Sequence, residues 1–217
     1  MRAVSKKSED LTLHTDRYVM RAMTTSTRKR LLLAAFDEIH LHGFQAASIS
    51  HILKDTGLTK GALYHHFPNK QQLGLAVIDE VVRGYLDETI FDRIRQSPRP
   101  AHTLMEIIGA AADACSIESV ALGCPLNNLM QEMSPLDEAF KRSLNGILES
   151  WREVIEQALL HEQQQGRVRS DVDCRAAALF ILSAWEGCIG VAKSLQSPAG
   201  FGSCMKQLQA YVAGLLK

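Results

Sequence analysis

Residues 59–70, TKGALYHHFPNK, constrain this chain more than any other stretch. They read as a short helix: Thr59 is a good N-cap and Pro68 ends the run. Leu63 and Phe67, four apart, share an apolar face, and Lys60, Tyr64, His65 and His66 are left to the outside. A helix held by its apolar side offers its polar side to something anionic.

The residues before it supply a frame. Ile49, Ile52, Leu53 and Thr56 fall at i, i+3, i+4 and i+7, the stripe of an amphipathic helix over residues 48–56. Gly57 supplies the left-handed stop, Leu58 is a buried turn residue, and the next helix follows at once. Helix, tight turn with Gly, helix is the helix-turn-helix layout, whose second helix enters the DNA major groove. Residues 27–42 add a third helix through Leu32, Ala35, Phe36 and Ile39, closed by Gly43. The three share a core expected from Leu32, Phe36, Ile39, Phe44, Ile49, Ile52, Leu53, Leu63 and Phe67. A unit this small is marginal alone.

Residues 27–75, with Gly43–Phe44, SISHIL, TGLTKGALYHHF and NKQQL, resemble the N-terminal DNA-binding domain of the TetR/AcrR family of transcriptional regulators. The resemblance covers about 50 residues and is specific in order and spacing. Beyond it the chain is similar to the family in architecture only. It implies a double-stranded DNA operator, a homodimer joined by a four-helix bundle from two chains, and a small-molecule effector of unknown identity. Many family members carry a hydroxyl at the position of Ala62, so the polar contact expected there is in doubt. Met23 stands just before the usual type of family start, which makes Met1, Met20 and Met23 all candidate starts. Some members use basic arms in the minor groove, a role open to Arg17 and Arg21.

Charge divides along the chain. The formal net charge is zero, yet residues 1–70 hold 11 Lys and Arg against 6 Asp and Glu, and the remainder holds 13 against 18. The first part is therefore +5 and the second −5, which places nucleic acid with the first. The five cysteines, Cys115, Cys124, Cys174, Cys188 and Cys204, are odd in number, widely spaced and without a CxxC pair. That argues against a disulfide framework and for a reducing cytoplasm. The first 25 residues lack the apolar core of a signal peptide. The most apolar run, residues 176–192, is interrupted by Glu186 and falls short of a membrane span, so no membrane partner is expected. The pairs His40/His42 and His65/His66 share no helix face with a further ligand, so no metal and no cofactor is expected. Catalytic motifs such as G-x-S-x-G and H-E-x-x-H are absent, and the chain does not read as an enzyme.

Past the motif every periodic stretch is helical. Asn69 and Gln72 open a helix through Leu73, Ala76, Val77, Val81 and Tyr85 to about residue 95. Further helices follow at residues 104–115, 125–133, 140–165, 174–193 and 201–216, giving an all-α fold of about nine helices. The expected division is an N-terminal extension without order at residues 1–24, a helix-turn-helix domain at 25–70, and an effector-binding and dimerisation domain at 71–217.

Roles follow from position. Ser48, Thr59, Lys60, Gly61, Ala62, Tyr64, His65 and Lys70 are the DNA-contacting candidates: Lys60 for a guanine edge or phosphate, Gly61 for close backbone approach, and Ala62 for a thymine methyl. Tyr64, His65, Lys70 and the helix end at Ser48 suit phosphates. Met105, Ile108, Cys124, Asn127, Asn128, Met130, Trp151 and Trp185 are candidates to line an effector pocket. The adjacent amides Asn127 and Asn128 need hydrogen-bond partners on a ligand or on a neighbouring helix. Cys124 lies at or beside a helix N-terminus, whose dipole lowers a thiol's pKa; against that, a free cysteine is usually a buried apolar side chain, so a pocket-wall role is favoured over a reactive sensor. Phe180, Trp185, Leu208, Tyr211, Val212 and Leu215 are the dimer-interface candidates. The resulting expectation is a repressor whose effector swings the helix after Asn69 and changes the spacing of two recognition helices. A thiol-based redox or electrophile sensor on the same fold is the alternative, and an all-helical enzyme or scaffold with a vestigial helix-turn-helix is a third reading.

Overall fold

The computed structural model describes residues 26–217, and the expected disorder of residues 1–24 lies outside them. The described residues are helical apart from short turns and one isolated antiparallel bridge, Val168 with Leu216. They form two compact units that divide between Val77 and Ile78.

The first unit holds α1 (Thr27–His42), α2 (Ile49–Thr56), α3 (Lys60–His66) and α4 (Lys70–Ala76). Side chains set the starts: Ser26 accepts from the Lys29 amide, Thr59 from Ala62, and Asn69 from Gln72. Gly57, at φ 64°, takes the left-handed position that ends α2 and turns the chain toward α3. Leu31, Leu32, Ala35, Ile39, Phe44, Ala47, Ile52, Leu53, Leu63, Phe67 and Leu73 are buried. Phe36 and Ile49, expected in this core, are only half-buried, and Leu31 and Ala35 take the inner positions of α1. The stripe on α1 is rotated because α2, α3 and α4 all pack on that helix.

Cations tie the unit together where apolar contact ends. The Arg30 guanidinium donates to the Thr56 carbonyl at 2.6 Å, capping the negative end of α2. Arg28 lies over the Phe67 ring and Lys70 over the Phe44 ring, at 5.0 and 4.9 Å.

Residues 77–95 form α5, which begins at the division and runs into the second unit. Its α-turns alternate with two π-helical stretches, Val77–Val82 and Asp87–Phe91. The wider register buries Val81, Leu86 and Phe91 at five-residue intervals. It leaves Tyr85, expected in the apolar stripe, at the surface. Then come α6 (Pro100–Ala114), α7 (Ile117–Leu122), α8 (Pro125–Met133), α9 (Glu138–Gln164), α10 (Cys174–Leu195) and α11 (Pro198–Leu215). All the expected helices are found, and the short α7 adds to them.

α9 is the spine of this unit. Phe140, Leu144, Ile147, Trp151, Ile155 and Leu159 keep one face buried over its 27 residues, and α6, α8 and α10 pack along it. α11 lies against α6 and α10. α10 has 22 residues, so it is long and apolar enough by length and composition to cross a membrane, contrary to the shorter run expected. In the fold it is a packed helix, with Ala177, Ala178, Ile181, Leu182 and Ile189 buried. One feature was not foreseen: Cys188 and Cys204 are joined by a disulfide between α10 and α11, a single bond rather than a framework. A sequence separation of 16 hides a pairing that the α10–α11 hairpin creates.

Candidate functional site

α3 presents the face read from its spacing. Leu63 and Phe67 are 0% and 2% exposed, whereas Lys60, Gly61, Tyr64 and His65 face solvent. Ala62 is half-buried and its amide is the one capped by Thr59, at 3.1 Å. His66, expected outside, is half-buried between the rings of His65 and Phe67. A Cβ built on Gly61 would meet nothing closer than the Thr59 hydroxyl at 3.8 Å, an ordinary contact. The fold itself therefore makes no demand for glycine there.

Two of the flanking candidates are already engaged. Lys70 Nζ donates to the Gln45 carbonyl at 2.9 Å besides lying over Phe44, so it also pins the α1–α2 loop. Ser48 makes no side-chain cap to α2; its hydroxyl pairs with that of Ser50 at 2.7 Å. Its N–H donates to the Glu38 carboxylate at 2.9 Å, so α1 supplies the anion at the start of α2. Glu38 thus takes the Ser48 N–H at the helix end expected to meet a phosphate. His51 and His42 stand 3.3 and 3.8 Å from the same carboxylate. Sequence reading missed Glu38 because the Ser48 N–H and His51 lie on another segment; only His42, four residues on, is local.

An amphipathic second helix, a left-handed turn and a capped third helix with a cationic outer face form a helix-turn-helix. Residues 31–77 match the family described as bacterial regulatory proteins, tetR family, and residues 100–208 match the tetracyclin repressor-like C-terminal domain. The chain belongs to the TetR family. It is a DNA-binding transcriptional regulator. Among its TetR-family relatives, the transcriptional regulator AcuR of Cereibacter sphaeroides is 31% identical over 166 residues, 75% of this chain and 74% of that one. The transcriptional repressor DhaR of a Mycobacterium species is 25% identical over 76% of this chain and 81% of its own. A TetR regulatory protein from Rhodobacter sphaeroides superimposes with a TM-score of 0.73 at 28% identity, covering 84% of this chain and 97% of that one. The reduced form of NemR from E. coli shares the fold, with a TM-score of 0.76 at 19% identity over 88% of this chain and 98% of that one.

A polar cluster stands inside the C-terminal unit. Cys124 is the N-cap of α8 and its thiol donates to Glu186 Oε1 on α10 at 3.5 Å. Asn127 Nδ2 donates to the Glu186 carbonyl at 2.9 Å. Asn128 donates to the Leu122 carbonyl and accepts from Lys193 Nζ, at 2.8 and 2.9 Å. Both amides are therefore satisfied within the protein, the neighbouring-helix outcome of the two expected. Trp185 meets Trp151 edge to face at 5.6 Å, and Trp151 in turn meets Phe91 at 6.0 Å. Met105 and Met130 are half-buried, Met105 giving its carbonyl to Gln209 of α11, and Ile108 is fully buried.

Glu186 is the residue that sequence reading passed over. It is 7% exposed, and its Oε2 is buried without a hydrogen-bond partner. Burial pushes its carboxyl up to about 7, against the pull of hydrogen bonds from Cys124 and Asn127. The signal was present: one acid inside the most apolar run of the chain. At Cys124 the buried-thiol reading prevails over the reactive one. Burial first, and the neighbouring Glu186 carboxyl second, push its thiol well above the ordinary value, and the amides of Leu126 and Asn127 do not offset them. The helix N-terminus acts on this sulfur, but desolvation outweighs it, so the thiol is the resting form.

The raised Glu186 pKa makes stability depend on pH. Between an ordinary glutamate's 4.5 and about 7, the folded chain holds a proton there that the unfolded chain releases. Stability therefore falls as pH rises through that window. Glu186→Gln removes the dependence. The variant is expected to match the wild type at about pH 5 and to exceed it by about 3 kcal/mol at about pH 8. Urea unfolding of both proteins across this range checks it, and parallel pH profiles would refute the buried-proton account.

The interface candidates separate into two groups. Leu208, Val212 and Leu215 are 3%, 0% and 6% exposed within the single chain, so they serve its own core rather than a partner. Trp185 is half-buried against Trp151. Phe180 and Tyr211 remain outside, their rings 4.6 Å apart, and Leu179, Val191 and Leu195 continue the exposed apolar face along α10. A broad stripe at a chain's end does not reveal which of its edges the monomer itself covers.

Proposed function

We propose that this TetR-family regulator is a cytoplasmic homodimeric repressor, released from its operator by a small molecule that enters the C-terminal unit beside Cys124, Asn127 and Glu186. The observation that carries this reading is the buried Glu186 oxygen without a partner, inside the unit that matches the effector domain of the family. A group that donates a hydrogen bond to that oxygen gains more than it would in water, because the alternative is a desolvated, unsatisfied acceptor. Lys60, Gly61, Ala62, Tyr64 and His65 carry the DNA contact, with Thr59 positioning the helix and Lys70 and Ser48 at its flanks. The functional division is residues 25–70 for DNA and 71–217 for effector and dimer. Release requires the effector to prefer the form of the dimer whose recognition-helix spacing does not fit DNA. Regulation, not catalysis, is the proposed role.

Cys124→Ser tests the pocket. The hydroxyl keeps a donor for Glu186 but changes size and polarity at the cluster. Operator affinity is expected to stay within about twofold, while the effector concentration needed for release rises by about tenfold, one contact's worth of free energy. Fluorescence anisotropy of operator DNA, titrated with the native inducer, measures both. A variant that is released normally would place the effector elsewhere.

A further inference from the structure

We propose that Cys188 and Cys204 are a reversible thiol–disulfide pair, a redox modification site in the α10–α11 hairpin that responds to low-molecular-weight disulfides. Two features of the fold support reversibility. The two cysteines differ in access: Cys188 is 3% exposed on α10, whereas Cys204 faces solvent on α11. The hairpin also does not rely on the bond. Ile181, Ile189, Met205, Leu208 and Val212 are buried along the same two helices, so α10 and α11 stay packed with the sulfurs apart. Both states are then folded states, which is what a switch requires. The Cα atoms stand 5.7 Å apart in the bonded form, within the range a disulfide uses. Cys115, Cys124 and Cys174 remain free, and a single bond among five cysteines is not a stapled scaffold. In a thiol-rich compartment an isolated disulfide of this kind is more often a sensing device than a structural one.

The chemistry is exchange. Cys204, the accessible sulfur, loses its proton to solvent and attacks oxidised glutathione; a mixed disulfide forms and one glutathione thiolate leaves and is protonated. Cys188 then loses its proton and attacks the Cys204 sulfur, expelling the second glutathione. Two protein thiols and one glutathione disulfide become one protein disulfide and two glutathione thiols, so the two electrons pass from the cysteines to the glutathione disulfide.

The test uses the full chain, reduced with dithiothreitol and then treated with oxidised glutathione, with thiols counted by alkylation and mass spectrometry. Cys188 and Cys204 are expected to become protected together in one linked peptide pair, and dithiothreitol is expected to restore both in the folded protein. Cys188→Ser is expected to stop at a glutathione adduct on Cys204, and Cys204→Ser to acquire no crosslink. Closing a loop of this length should raise Tm by about 5–10 °C in the wild type and not in Cys188→Ser. Cys188 and Cys204 that still alkylate freely after oxidation would overturn the proposal. So would a crosslink between two chains through Cys204, or a bond that excess dithiothreitol cannot open without unfolding. None of these readouts involves DNA or an effector, so they stand apart from the repressor reading.

Discussion

Raising the salt concentration from about 50 to about 200 mM is expected to weaken operator binding by about 10³–10⁵-fold. The figure follows from about 6–10 phosphates contacted per dimer, each contact releasing condensed counterions. The charge that makes those contacts is concentrated: residues 1–70 carry +5 and the remainder −5, so the net charge of zero conceals the steering field. Lys60, Tyr64 and His65 all face solvent on α3. Lys60→Ala should lower affinity and also flatten the preference among operator variants, because a lysine at a guanine edge reads sequence. Lys70→Ala should weaken every sequence about equally and lower Tm as well, because its ammonium also holds the Gln45 carbonyl and the Phe44 ring. Anisotropy titrations at a series of salt concentrations give the slope. A flat profile would remove the phosphate roles, and a uniform loss for Lys60→Ala would demote that residue to a backbone contact.

The second large effect concerns the dimer. Phe180→Glu is expected to give a folded monomer whose operator affinity is lower by about 10²–10⁴-fold, because one half-site loses the effective concentration that linkage supplies. Phe180 is 51% exposed beside Tyr211, with Leu179, Val191 and Leu195 on the same helix at 55%, 61% and 67%. An apolar face of that extent on a single chain marks an association surface. Val212→Glu should behave differently. That residue is 0% exposed, and a carboxylate there would be buried without a partner, so the expected outcome is loss of folding. Sedimentation velocity beside circular dichroism separates the two cases. A Phe180→Glu protein that still sediments as a dimer would place the interface elsewhere.

Much of the DNA-binding unit was legible because its signals are local. A cap, a glycine at the left-handed position and an apolar pair four apart each act within one turn of chain, so Thr59, Gly57, Leu63 and Phe67 could be placed from spacing alone. The polar cluster of the second unit was only half legible. Cys124, Asn127 and Asn128 were singled out by type and position, but Glu186, the partner of Cys124 and Asn127, lies about 60 residues away and drew notice only as an interruption in an apolar run. Tyr85 and Phe36 were misplaced because a stripe read at the α-helical period ignores π turns and the choice of neighbour.

The amino-acid sequence by itself therefore determined the all-α class, the order of the helices, the helix-turn-helix and the outward face of α3, all consequences of forces that act over a few residues. Tertiary structure alone decided which edge of α10 and α11 is core and which is surface, since amphipathic period marks an apolar side without naming what covers it. It also decided that Glu38 caps α2 from α1, that Cys188 meets Cys204, and that the Cys124 thiol is raised rather than lowered. The last outcome has one physical cause: a helix end acts on its own N-cap wherever the helix lies, but desolvation depends on what the rest of the chain packs around it.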